Sequence, residues 1–216
     1  MNPFQFIRES ITLRDGRSVV LRPLDRRDAE RLIDLHNSLS FDSQYFRFFG
    51  PKPKLSKAEA EYLANVDFSK RFAIAAEVKE ERRKRLVGVG RFDVNEPNVA
   101  EAAIVVRDDY QGVGLGSALL ERMREVGRGA GLEAFTAEVL AENTRMLDLL
   151  KRNGLEMESS QSGVVRVVAP IDQPTLFKGL KVAAQVTGVI LETPAAIRQR
   201  LPGRGEGEQD ADTASE

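Results

Sequence analysis

The chain opens on period-two patterning and then changes period. Ile11-Thr12-Leu13 precedes Asp15-Gly16, and Val19-Val20-Leu21 follows, so residues 10–24 predict a hairpin turned at Asp-Gly. Pro23 stops the second strand, and Asp25 and Asp28 stand where an N-cap and a first-turn acid belong. Ala29, Leu32, Ile33, His36 and Leu39 then recur at helical spacing. Ser56-x-x-Glu59 has the form of a capping box and predicts a second helix start. Between these helices, Phe41 to Pro53 carries five of the fourteen aromatic residues, in Phe41, Tyr45, Phe46, Phe48 and Phe49. Gly50, Pro51 and Pro53 break it immediately afterwards.

Residues 71–78 and 86–94 read as strands joined by the charged run Lys79 to Arg85, and 99–106 (VAEAAIVV) as another. Leu115, Leu119, Met123 and Val126 predict a helix that ends near Gly127 to Gly131. A strand over 132–140 follows. Asn143 can cap a helix carrying Met146, Leu147 and Leu150 and stopped at Gly154, and Val164 to Val168 is the last strand. Counting the opening hairpin once, the order is β, α, α, β, β, β, α, β, α, β. This is α/β or α+β, with helices packed on one mostly continuous sheet over residues 1–170. Residues 171–202 read as an extension with a helical tendency and no clear partner face. Residues 203–216, with five acids and one arginine, read as a disordered tail.

Composition narrows the chemistry. The 216 residues suit one domain with an appendage, and 42% hydrophobic content supports a core. No cysteine is present, which excludes disulfides, thiolate metal sites and a cysteinyl intermediate. A single histidine, His36, argues against a His-based metal site or catalytic triad, and no metal is expected. Lysine and arginine total 32 against 33 acids, so nothing draws the chain to nucleic acid or to an acidic membrane. The longest late uncharged apolar run, Val182 to Leu191, is far shorter than the roughly 20 residues of a spanning helix, and no secretory leader is read. A soluble cytoplasmic protein is expected.

The most informative stretch is Ile104-Val105-Val106-Arg107-Asp108-Asp109-Tyr110-Gln111-Gly112-Val113-Gly114-Leu115-Gly116-Ser117. A strand enters a glycine loop that opens an amphipathic helix. Free N–H groups and the helix dipole make such a start an anion site, and glycines let a phosphate approach closely. A pyrophosphate-bearing ligand fits. The loop lacks the lysine of a Walker motif, and the sixth position counted from Gly112 is Ser117, which departs from the dinucleotide fingerprint. The same glycines also suit a left-handed turn that binds nothing.

In context, Gln111-Gly112-Val113-Gly114-Leu115-Gly116 resembles the Q/R-x-x-G-x-G/A loop of the GNAT acetyltransferase superfamily. Asn143 to Leu155 resembles its second signature. Asp15-Gly16 with Arg22-Pro23, the stretch Ser40 to Gly50, and Arg107 to Gly112 resemble the acetyltransferase domain of bacterial protein lysine acetyltransferases. The resemblance implies a mixed, mostly antiparallel sheet of six to seven strands, helices on both faces and a splay at an acetyl-CoA site. It implies acetyl-CoA as cosubstrate and a primary amine, above all a protein lysine, as acceptor. Loop N–H groups from Val113 to Ser117 would hold the pyrophosphate, with Gln111 and Gly112 leading into them. The backbone of Ile104, Val105 and Val106 would pair with the pantetheine arm, and an N–H there would stabilise the developing oxyanion. Asn143 would face the cosubstrate, a role compatible with helix capping. Fused nucleotide-binding or ligase-like domains known in the family are not expected here.

Direct transfer needs a base, because a lysine amine with a pKa of about 10.4 is protonated at neutral pH. Glu101 is the candidate: strand alternation places it on the face of Ala103 and Val105, and the family has a glutamate base at the matching position. An edge glutamate is the alternative. Leu150 stands where many members carry a tyrosine acid, and Tyr110 at the loop entrance is a poor substitute. Aromatics 41–49 either roof the core or border the acceptor groove, with Arg47 and Gln44 within reach of an acceptor. His36 reads as packed, and Lys79 to Arg85 as a solvated turn. Acetylation of a small amine and a silent acetyl-CoA sensor are the competing functions. Oligomeric state is left open.

Overall fold

The computed structural model describes residues 8–153, 155–161 and 163–171. The expected helix stop at Gly154, the extension beyond Ile171 and the acidic tail lie outside the described residues. The elements are β1 (Glu9–Thr12), β2 (Ser18–Pro23), α1 (Ala29–Asn37), α2 (Phe41–Phe48), α3 (Lys57–Ala64), β3 (Arg71–Glu80), β4 (Arg83–Glu96), β5 (Val99–Val106), α4 (Leu115–Gly129), β6 (Ala134–Leu140), α5 (Thr144–Arg152), β7 (Glu156–Gln161) and β8 (Val164–Pro170). Among the described residues no helix is long and apolar enough to cross a membrane.

One eight-stranded sheet runs β1-β2-β3-β4-β5-β6-β8-β7. Every neighbouring pair is antiparallel except β5–β6. The helices cover both faces. On one, Leu115, Leu119 and Met123 of α4 pack on Ile74, Val87 and Phe92. On the other, Leu32 and Leu35 of α1 and Ala60 of α3 pack on Ala73, Ala75 and Val89. Gly88 and Gly90 let α4 lie close on β4, since a Cβ on Gly90 would sit 2.7 Å from Met123 Sδ. Helix α4 ends at Gly129, within the expected Gly127 to Gly131, and Gly127 serves packing, since a Cβ there would meet Phe135 Cζ at 2.9 Å.

Three local readings change. The aromatic segment is helix α2, capped by Ser40 Oγ, which accepts from the Ser43 N–H at 3.2 Å. Phe41, Tyr45 and Phe48 do recur at i, i+4 and i+7, a helical spacing, but the helix buries no residue fully and the Gly50-Pro51 break follows at once. The charged run is mostly strand, with the turn confined to Glu81 and Arg82 at φ of 46° and 66°. A two-residue turn with both φ values positive favours Asn-Gly, so Glu-Arg carries no such signal. Strand β7 raises the sheet to eight strands, and its sequence EMESSQ lacks alternation.

Where α1 begins, a buried ion cluster joins the helix layer to the sheet. Arg22 of β2 forks onto Asp28 at 2.7 and 2.8 Å and bonds Glu77 of β3 at 2.8 and 3.0 Å. Arg31 adds a bond to Asp28 at 2.8 Å, and Lys84 reaches Glu77 at 3.2 Å. Burial works against both carboxylate charges, yet the hydrogen bonds led by Arg22 outweigh it and lower both pKa values. Carboxyls with depressed folded-state pKa values contribute stability above their unfolded values, 3.8 and 4.5, and lose it as the pH falls through the folded values. Arg22→Met leaves the buried Asp28 to Arg31 and the buried Glu77 to Lys84 and is expected to lower unfolding free energy by about 3 kcal/mol, read by urea denaturation at pH 7. The deficit is expected to shrink below pH 4 as the carboxylates take up protons.

Candidate active site

Strand β5 is paired with β4 along its whole length, from Glu96–Val99 to Gly88–Val106. Its pairing with β6 covers only Val99–Ala134, Ala100–Phe135 and Glu101–Thr136. Strand β6 then follows β8 as far as Leu140–Val164. The sheet therefore splays after Glu101, and Ala102 to Val106 present a backbone edge with no strand partner among the described residues. Leu86 to Phe92 of β4 are buried throughout, whereas Glu101 to Val106 are all half-buried although they sit mid-sheet. Ile104 and Val106 pack against the α4 core, and Val105 against the opposite one.

The chain leaves β5 through a 3₁₀ turn at Asp108–Tyr110 and enters the glycine loop. Gly112 and Gly114 adopt φ of 75° and 103°, the region that favours glycine. Gly114 is the N-cap of α4, the first turn carries no acid, and no side chain caps it. Among the described residues, no acceptor meets the backbone N–H groups from Gly112 to Ser117; the first bond into the helix is Ala118 N–H to Gly114 C=O at 3.1 Å. The helix start is thus an array of donors with a positive dipole end and no competing carboxylate, which fits a pyrophosphate. Gly116 sits under α5, where a Cβ would stand 3.2 Å from Leu149 Cδ2. Leu115 is fully buried, its side chain packed in the core under α4.

Arg14 and Arg17, which carry no signal in the sequence, hold this loop together with residues of the motifs noted there. Arg14, at the β1–β2 hairpin, donates its backbone N–H to Val113 C=O at 3.1 Å and Nη2 to Gly112 C=O at 2.7 Å. Arg17 bonds Asp109 C=O at 2.6 Å and lies 3.8 Å over the Tyr110 ring. Asp108 accepts from the Ser40 N–H at 2.8 Å and from the Ser40 and Ser43 hydroxyls at 2.7 and 2.8 Å. Gln111 donates Nε2 to Val106 C=O and Ser43 Oγ and accepts from Arg145 at 2.8 Å, so its side chain is engaged within the protein. The only advance signal for these bonds was motif adjacency: the hairpin, the aromatic segment and the Arg-Asp-Asp-Tyr turn meet at one point.

Glu101 lies opposite Asp93 in the β4–β5 register and accepts from Asn95 Nδ2 at 3.3 Å. Burial raises its pKa above the ordinary value, Glu138 and Asp93 push the same way, and Arg47 and the Asn95 bond pull back. A half-buried carboxyl at the point of splay, with elevated proton affinity, suits proton abstraction. Asn143 caps α5, accepting from the Met146 N–H at 3.1 Å. Arg145, in the same turn, reaches Gln111 and sets that turn beside the loop. Leu150 is a buried core residue and Tyr110 is buried with its hydroxyl toward Glu80, so neither offers a proton at the splay. His36 is packed, its Nε2 2.8 Å from Lys52 C=O, and burial lowers its pKa.

The comparisons with known proteins agree with this architecture. The model of the acetyltransferase (GNAT) domain matches residues 18–156, and the chain belongs to that family of N-acetyltransferases. An acetyltransferase of Pseudomonas aeruginosa is 35% identical over 139 residues, covering 64% of this chain and 75% of that one. The acetyltransferase Pat of Mycolicibacterium smegmatis is 30% identical over 167 residues; the match takes in 75% of this chain and 49% of Pat, about half its length. Among solved structures, the GNAT domain of S. lividans PAT superposes with a TM-score of 0.70 at 33% identity, covering 76% of this chain and 96% of that domain. A Vibrio cholerae spermidine N-acetyltransferase, solved with CoA and spermine, shares the fold at 22% identity and a TM-score of 0.56, covering 70% of this chain and 95% of its own.

Asn143→Ala removes the α5 cap and is expected to lower stability by about 1 kcal/mol in urea denaturation, with Asn143→Asp retaining most of it.

Proposed function

We propose that this chain transfers the acetyl group of acetyl-CoA directly to a lysine side chain of a protein, with Glu101 as general base. The observation that carries the reading is the coincidence of three features along β5 and the loop that follows it. Glu101 marks where β5 and β6 part, Ala102 to Val106 offer a free edge just beyond it, and the donor array at Gly112–Ser117 follows. Acetyl-CoA would supply the acetyl group as an activated thioester.

Each residue then has a bounded task. The loop N–H groups hold the pyrophosphate, and the edge at Ile104 to Val106 aligns the pantetheine arm as one more strand. The acceptor arrives as an ammonium, which Glu101 deprotonates so that the amine lone pair can attack. The nearby Asp93 and Glu138 favour a cationic acceptor and raise the proton affinity of Glu101. Leu150 supplies no acid, so the thiolate leaves unprotonated or takes its proton from water. The likeness to the S. lividans PAT domain and to the M. smegmatis Pat supports a protein lysine as acceptor.

Glu101→Gln is expected to reduce kcat by about 100- to 10,000-fold with the Kd for acetyl-CoA unchanged in calorimetric titration. The wild-type kcat/KM is expected to rise with pH through an ionisation lying above the ordinary glutamate value of 4.5, a step absent from the variant. Micromolar acetyl-CoA binding without turnover of any amine would instead mark a sensor. Binding of NADH or ATP in place of acetyl-CoA would overturn the assignment.

A further inference from the structure

On the Glu101 face of the sheet, a cleft runs between the helices α1–α3 and strands β4 and β5. Its walls are leucines and Phe48, and its floor includes Ala103 and Val105 of β5. Three polar side chains enter it: His36, Arg47 and Arg91. Each is poorly matched by the protein. Arg91 is only 8% exposed, yet its guanidinium reaches Leu63 C=O at 3.4 Å and Asp93 at 3.5 Å, the outer limit of hydrogen bonding. Asp93 is in turn shared with Arg71 at 3.7 Å. Arg47, half-buried on α2, stands 5.3 Å over the Phe48 ring and has no hydrogen bond or ion pair among the described residues. Burial and the repulsion of Arg91 press its pKa down to about 10, against attraction from Glu101 and Asp93. His36, 3% exposed, donates Nε2–H to Lys52 C=O, which leaves Nδ1 an acceptor with no partner.

Two guanidinium groups in an apolar cleft, with Asp93 shared at the limit of bonding and Glu101 bonded to neither, lack a close anion. We propose that this cleft recognises a carboxylate carried by the acceptor, held by Arg47 and Arg91 while Glu101 acts on the acceptor's amine. The proposal rests on the acetyl-transfer reading above. A guanidinium fork matches a planar carboxylate, and His36 Nδ1 suits an N–H beside it. Ala103 on the cleft floor lies about 7 Å along β5 from Glu101, at roughly 3.3 Å per residue. That spacing matches an amine and a carboxylate separated by a lysine side chain. The carboxylate can come from an acidic residue next to the target lysine or from the α-carboxylate of a free amino acid.

The test uses the full chain with saturating acetyl-CoA and two acceptor pairs. One pair is an end-blocked peptide with lysine flanked by glutamate or by glutamine; the other is free lysine and lysinamide. The carboxylate-bearing member of at least one pair is expected to show kcat/KM higher by about tenfold or more. A preference in the peptide pair assigns the site to an acidic neighbour, and one in the amino-acid pair to the α-carboxylate. Arg47→Gln is expected to erase that preference and Arg47→Lys to keep part of it. Equal kcat/KM within both pairs overturns the proposal. So does a uniform slowing of all four acceptors by Arg47→Gln, which would mark Arg47 as serving Glu101 alone. Should the glutamine variant not fold, the lysine variant decides: a weakened preference supports the site, and an unchanged one overturns it. If no acceptor turns over, calorimetric titration of the glutamate peptide and of free lysine still reads the site. Carboxylate-dependent binding lost in Arg47→Lys or Arg47→Gln would sustain the cleft while the acetyl-transfer reading fell, and no such binding would overturn the cleft too.

Discussion

Parallel pairing between β5 and β6 stops after Glu101 and Thr136, and most of what the site can do follows from that stop. Backbone N–H and C=O groups inside a protein need partners. The edge from Ala102 to Val106 has no strand partner on the β6 side among the described residues, and only its Val106 C=O is engaged, by the Gln111 amide, so the rest is poised for an extended ligand that pairs as a strand would. Had the two strands stayed in register, Glu101 would be a sheet residue flanked on both sides, and no groove would lead to it. The seam also divides labour. Helices α1 to α3 cover the face that carries Glu101, where we propose the acceptor lies. Helix α4 carries the free N–H donors and α5 the turn around Asn143, where we propose the cosubstrate phosphates lie.

The parts that frame the glycine loop come from distant stretches of chain and are bonded to one another rather than left free for a ligand. Asp108 gathers Ser40 and Ser43, Gln111 ties the loop to β5, and Arg17 closes over Tyr110. Motifs that look functional in the sequence are here partly scaffolding. The donors left over are backbone N–H groups, which mutation reaches only through the glycines that shape them.

Much of this was legible from the residue pattern. Alternation in VAEAAIVV placed Glu101 on the face of Ala103 and Val105, and the register with Asp93 and Arg91 bears that out. Glycine spacing marked the loop, and Asn143 was read correctly as a cap. What escaped notice has a physical reason in each case. Helix α2 is only two turns long and buries no residue fully, so the spacing of Phe41, Tyr45 and Phe48 is a weak signal beside the Gly50-Pro51 break, and its Ser40 cap and packing on β5 come from the fold. Strand β7 exists because β8 offers an edge, not because EMESSQ favours extension. Arg14 and Arg17 act across the fold, and long-range partners leave no trace in local sequence. Arg22, by contrast, belonged to a stretch singled out for its family resemblance, and the structure shows it to be a buried clamp on Asp28 and Glu77.

The double grip of Arg14 on the loop, through its own N–H and its guanidinium, bears on how fast a ligand is captured. A glycine-rich loop left to itself samples many conformations, and a ligand that had to select one would bind more weakly by that fraction. Here the hairpin fixes Gly112 and Val113 through their carbonyls, which turns the peptide N–H groups outward before anything arrives. The ordering entropy is spent during folding. Capture can then run at the rate of encounter, without a loop-closing step.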